Sequence, residues 1–226
     1  MKYFKWGLLA AIVLVGIIVL VRFFYQEEFL KQIIARLEAD SRAAEVLVVG
    51  VNYNEELKKN FTTIKFVEYD SAKKPLEPRF FTFPGNIIQF QSLVVRFDDR
   101  FVEAGDRLRG KSAYLFWKVF CLDGANTKEF VITDIEEVPD GYKLGKKANG
   151  FEKKFWREFW QYAFNKNKAS HAGIKNVQIE APGMMFVPGY LYTVKIEHSG
   201  GLRIDMNPLP GILKGERILS GQGRKK

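Results

Sequence analysis

One segment constrains this chain more than any other. Phe4 to Tyr25 reads FKWGLLAAIVLVGIIVLVRFFY, and residues 7–21 are entirely apolar or glycine. At about 1.5 Å of rise per residue, the 22-residue stretch would extend roughly 33 Å as a helix, enough to cross a hydrocarbon core of about 30 Å. Lys5 and Arg22 lie near its ends, where long cationic side chains snorkel to the interface, and Trp6 and Tyr25 occupy interfacial positions. A cleaved signal peptide would have a shorter apolar region followed by small residues. Here the run ends in Val21-Arg22-Phe23-Phe24-Tyr25, bulky throughout, so residues 1–25 are expected to be an uncleaved transmembrane signal anchor. Lys2, Lys5 and the amino terminus favour a cytoplasmic N-terminus, opposed by Arg22, Lys31, Arg36 and Arg42. The short N-terminal head favours export of the remainder. The expected location is a bacterial cytoplasmic membrane, with the C-terminal domain extracytoplasmic.

A formal charge of +9 over 226 residues invites a nucleic-acid reading, and its distribution argues against one. Net charge is +3 over residues 1–25, −4 over 26–142, +7 over 143–175, −1 over 176–213 and +4 over 214–226. The excess belongs to the membrane flank, one internal stretch and the tail. No nucleic-acid partner is expected. A single cysteine, Cys121, excludes an intramolecular disulfide and a cysteine-rich zinc site, and two histidines leave little for a metal cluster.

Gln26 to Ala43 carries Phe29, Leu30, Ile33, Ile34 and Leu37 at helical spacing, with Glu27 and Lys31 as an i,i+4 pair. This predicts a juxtamembrane helix over 26–43. Its two-heptad stripe either packs on the chain's own domain or supports self-association. Beyond it the pattern becomes strand-like. Expected strands are Val46–Tyr53, Phe61–Tyr69, Ile87–Phe97, Ala113–Leu122, Glu129–Val138, Tyr190–Glu197 and Leu202–Asp205. Turn signals such as Pro84-Gly85, Asp123-Gly124 and Asp140-Gly141 separate them, and Lys73–Arg79 reads as a loop. The fold class is β-rich (α+β): an antiparallel sandwich or open barrel over 44–213, with one aromatic amphipathic helix. The Gly-rich basic tail, 214–226, is expected to be disordered.

Few residues suggest chemistry. Gly105-Asp106-Arg107-Leu108-Arg109-Gly110-Lys111-Ser112 matches the phosphate-cradling pattern G-x4-G-K-[ST]. Gly105, Gly110, Lys111 and Ser112 are therefore weak cofactor candidates. A true P-loop lies between a buried strand and a helix, whereas this segment precedes an alternating, strand-like run. Within that run Cys121 alternates with Ala113, Leu115, Trp117 and Val119, which predicts a buried, inert thiol. His171 and His198 read as solvated. Asp98-Asp99 and Glu136-Glu137 read as surface charge, since adjacent strand residues point to opposite faces. Asn60-Phe61-Thr62 is a glycosylation sequon, informative only in a eukaryotic secretory protein. No catalytic residue, metal ligand or cofactor is assigned.

The most informative element is Phe151 to Phe164. At 100° per residue its apolar side chains cover an arc of roughly 220°, wider than the roughly 100° needed to dock a helix on a core. Either the helix is deeply buried, or one flank docks and the Trp156–Trp160–Phe164 flank meets a second surface. Lys153, Lys154, Trp156, Arg157, Trp160 and Phe164 form the candidate interaction surface, facing a membrane interface, a protein partner or a sugar. The expected function is a non-enzymatic, membrane-anchored binding or assembly module. The alternative is a membrane-anchored enzyme, either a hydrolase or a nucleotide binder at 105–112.

Overall fold

A computed structural model describes residues 13–21, 42–70, 73–97, 112–123, 126–143, 147–165, 167, 174–197 and 201–213. Residues 13–21 are helical. No helix among the described residues is long and apolar enough to cross a membrane. The remainder of the expected span, and residues 26–41 of the expected juxtamembrane helix, lie outside the described residues. Arg42 and Ala43, expected to end that helix, belong instead to the first strand.

Among the described residues, ten strands form two antiparallel sheets. They are β1 (Arg42–Asn54), β2 (Lys59–Glu68), β3 (Arg79–Pro84), β4 (Ile87–Phe97), β5 (Ser112–Cys121), β6 (Lys128–Val131), β7 (Ile174–Glu180), β8 (Gly183–Met185), β9 (Tyr190–Ile196) and β10 (Leu202–Pro208). Sheet I has the order β10-β9-β1-β2-β3. Sheet II has the order β6-β5-β4-β7, with β8 also paired to β4. The fold is thus a two-sheet, sandwich-like β-rich architecture. The loop expected over Lys73–Arg79 gives way to β3 at Arg79, and β3, β7 and β8 were not anticipated. The chain leaves sheet I through the two-residue corner Gly85-Asn86. Gly85 adopts φ +126°, a conformation that glycine tolerates and side chains rarely adopt.

Alternation builds the core between the sheets. Ile64 and Phe66 of β2 face inward with Val46 and Val48 of β1 and Tyr192 and Val194 of β9. Sheet II contributes Ile88, Phe90 and Val94 of β4 and Tyr114, Phe116 and Val119 of β5. Phe66 lies at the junction, stacked on Phe90 at 5.4 Å and edge-on to Phe116 at 5.4 Å. Such aromatic pairs add to the stabilisation from buried area.

A bulge reverses part of the expected β5 pattern. Gln91 pairs with Lys118 and Ser92 with Phe116, so Trp117 is the extra residue. One extra residue exchanges the faces beyond it. Tyr114 and Phe116 therefore share the core face with Val119 and Cys121, while Leu115 points the other way. Cys121 is buried as expected, with different neighbours. The Trp117 carbonyl also accepts hydrogen bonds from the amides of Ile132 (2.8 Å) and Thr133 (3.1 Å). That ends β6 at Val131, well short of Val138. Glu136-Glu137 consequently lies in a turn, with Glu136 at φ 69°.

Candidate functional site

The helix Gly150–Phe164 starts with a reciprocal capping box. Asn149 N–H donates to Glu152 Oε2 at 2.7 Å, and Glu152 N–H donates to Asn149 Oδ1 at 3.0 Å. This accounts for an acid that is 1% exposed on the docked side of an aromatic helix. The docked stripe continues through Trp156, Phe159 and Trp160, all buried. Trp160 meets Trp117 edge-on at 5.8 Å, and Trp156 packs on Tyr142 at 4.7 Å. Tyr142 in turn donates its hydroxyl hydrogen to the Tyr114 carbonyl at 2.9 Å. The helix therefore covers part of the outer face of sheet II.

This geometry corrects the expected interaction surface. Trp156 and Trp160 are 0% and 1% exposed, so they serve the protein's own packing and leave no Trp156–Trp160–Phe164 flank. Phe164 remains 62% exposed, and Lys153, Lys154 and Arg157 are also exposed. Their charge is partly neutralised: Arg157 lies 3.6 Å from Glu136 and Lys154 lies 3.9 Å from Glu158. Exposed pairs of this kind contribute little stability. They do weaken the case for an anionic partner on this face.

Of the P-loop-like residues, Ser112 opens β5, and Gly105, Gly110 and Lys111 lie outside the described residues. A strand follows the motif, paired antiparallel with β4, so the required helix start is absent there. His171, His198 and Asp98-Asp99 lie outside the described residues. Among the described residues no group of His, Cys, Asp or Glu is arranged to hold a metal ion. Burial, with Asp123 nearby, raises the Cys121 thiol above its ordinary value. A thiol held protonated in an apolar core is a poor nucleophile.

Among the described residues, two concavities lie near opposite ends of β2. The first, about 380 Å³, is lined by Phe66, Glu68, Leu76, Arg79 and Asp140 among others. Arg79 pairs with Asp140 at 2.6 Å and donates to the Ile132 carbonyl at 2.5 Å, which ties sheet I to the segment after β6. Burial pushes the Asp140 carboxyl up, but Lys143 and Arg79 together hold it below its ordinary value. Arg79 is bound to both Asp140 and the Ile132 carbonyl, and Asp140 also accepts from Lys143, so each group has two protein partners and this concavity reads as a structural clasp.

The second cavity, about 410 Å³, lies at the other end. Past the β1 bulge at Val49, the β1–β2 ribbon pairs Val51 with Thr62 and Tyr53 with Asn60. Thr62 has the same strand parity as the core residues Ile64 and Phe66, so these four lie on the inward side of the ribbon. Opposite stand Pro84, Gly85, Asn86, Phe186 and Pro188. Lys59 and Asp123 close one side, 2.5 Å apart. Leu57 N–H donates to Asn54 Oδ1 at 2.8 Å, a local side-chain-to-backbone bond that fixes the ribbon tip. The alternation was legible in the sequence, but the overhang depends on tertiary pairing and gave no signal there.

The chain matches no protein-family model, no curated protein and no solved structure.

Proposed function

We propose that this protein is a single-pass, membrane-tethered binding or assembly module without enzymatic activity, displayed on the outer side of a bacterial cytoplasmic membrane. The observation that carries the reading is the helix at residues 13–21. Its large apolar side chains, Val13 to Val21, are each 53–63% exposed, whereas the sandwich buries its own apolar core. A helix apolar on all sides is suited to lipid surroundings. The cleft under the ribbon fits the binding role.

Alkaline extraction of membranes from cells expressing the full chain tests the tether. The chain is expected to stay in the pellet, and a variant lacking residues 1–25 to appear in the soluble fraction. A reporter active only outside the cytoplasm, fused after Lys226, is expected to be active. Release of the full chain by alkali would overturn the tether, and an inactive reporter would overturn the orientation.

A further inference from the structure

We infer that the cleft beneath the β1–β2 ribbon is a binding site for a neutral saccharide. The inference gives a ligand class to the binding role proposed above and rests on that role, though not on the membrane tether.

The argument starts from charge. The cleft is lined by one cation, Lys59, and one anion, Asp123, already paired at 2.5 Å with side chains 47% and 26% exposed. The pair leaves the cleft without net charge to favour an ionic ligand, and each group keeps hydrogen-bonding capacity that a neutral ligand can use. Around the pair lie the Asn60 and Asn86 carboxamides, which make no side-chain hydrogen bond among the described residues. Each carboxamide offers donors and an acceptor. Ammonium, carboxylate and two carboxamides thus present both hydrogen-bonding senses within one cavity. A hydroxyl also donates and accepts, and neighbouring ring hydroxyls match such a set without net charge.

Apart from Thr62, the remaining lining is apolar. Val51 is 44% exposed, and Pro84 and Pro188 face the same space. These surfaces suit the C–H faces of a pyranose ring. About 410 Å³ lies within the range of small-molecule sites. Phe186, fully buried, supports the floor. Strand addition by a peptide fits less well, because the edge of β2 at Phe61 is already bridged by Gly85. Recognition here must use side chains.

Saturation-transfer NMR on the full chain tests this, in a zwitterionic detergent whose headgroup carries no sugar. The probes are cellotriose, maltotriose and triacetylchitotriose, all uncharged, with triglycine as the peptide comparison. At least one trisaccharide is expected to bind saturably. Asn86→Ala and Asp123→Ala are each expected to weaken that binding about tenfold, the loss of one good hydrogen bond. Asn60→Ala, on an exposed strand end, tests the same cleft with little risk to folding. Absence of binding by all three saccharides overturns the inference, as does binding that all three variants leave unchanged. Binding of triglycine alone overturns the saccharide assignment and leaves the binding module standing. Silence from every probe counts against both, while the alkaline extraction judges the tether separately.

Discussion

The outer face of sheet II is two surfaces on one set of strands. Toward the β4 C-terminus, Leu93 and Leu115 pair directly and are each 1% exposed. Toward the β4 N-terminus, Ile87 pairs with Met185, and these two and Leu122, the residue after β5, are 51%, 54% and 56% exposed. The strands and apolar side chains are alike. The aromatic helix supplies the difference, because its Trp156–Phe159–Trp160 stripe reaches only one half. Strand patterning alone does not decide which apolar residues are buried, and a single helix can turn half of a sheet face into a second core. That second core holds Val138 and Tyr142 as well, apart from the cluster between the sheets.

Removing the cover should have the largest effect. Trp160→Ala deletes a buried indole and should cost about 3–5 kcal/mol, read from the denaturant midpoint of the full chain in detergent. A cost below about 1 kcal/mol would mean that the helix is not what seals this half of the sheet. Leu115→Ala and Leu122→Ala compare the same substitution on the two halves. The first should cost about 2–5 kcal/mol, and the second should stay within about 0.5 kcal/mol. Equal costs would abolish the distinction. A smaller effect is expected with pH. Asp140 titrates below its ordinary 3.8 in the folded protein, through Lys143 and Arg79 acting against burial. Its stabilisation is therefore present above the unfolded value and lost as pH falls through the folded one. Asp140→Asn should flatten the acid limb of the stability curve below about pH 4 and leave its neutral slope unchanged. The smallest effect belongs to the exposed side of the helix. Lys153→Ala and Arg157→Ala should each change stability by less than about 0.5 kcal/mol. A larger loss would give those side chains a structural role that their exposure does not suggest.

Long alternating runs were the legible part of the fold. Ile87–Phe97 matches β4 end to end, and β1, β2, β5 and β9 fall within a few residues of expectation. Short or mixed elements were not legible. Gly183–Met185 is three residues held to β4, and a Cβ at Gly183 would collide with Gln89 and the Ile88 carbonyl. Ile174–Glu180 breaks its alternation at Lys175-Asn176, and Arg79–Pro84 is a brief edge strand ending in proline. Bulges were invisible because an extra residue leaves composition unchanged while reversing the faces, as at Trp117. The helix itself was legible, including its width. Which of its flanks faces solvent was not, because that follows from where the bulge and the Tyr142 turn place partners for Trp160 and Trp156. The cleft left less trace still: Lys59 and Asp123 meet from positions 64 apart in sequence.

The central place of β1 in sheet I sets an order of events during synthesis. One of its neighbours, β2, follows after a four-residue turn, but the other, β9, pairs Glu45 with Thr193, about 150 residues later. A chain emerging from the ribosome therefore holds β1 with one edge unsatisfied until nearly all of the protein has been made. Such late pairing slows folding and leaves an exposed edge open to other chains meanwhile. A nascent chain held by its amino end would keep that edge close to its point of insertion until β9 arrives.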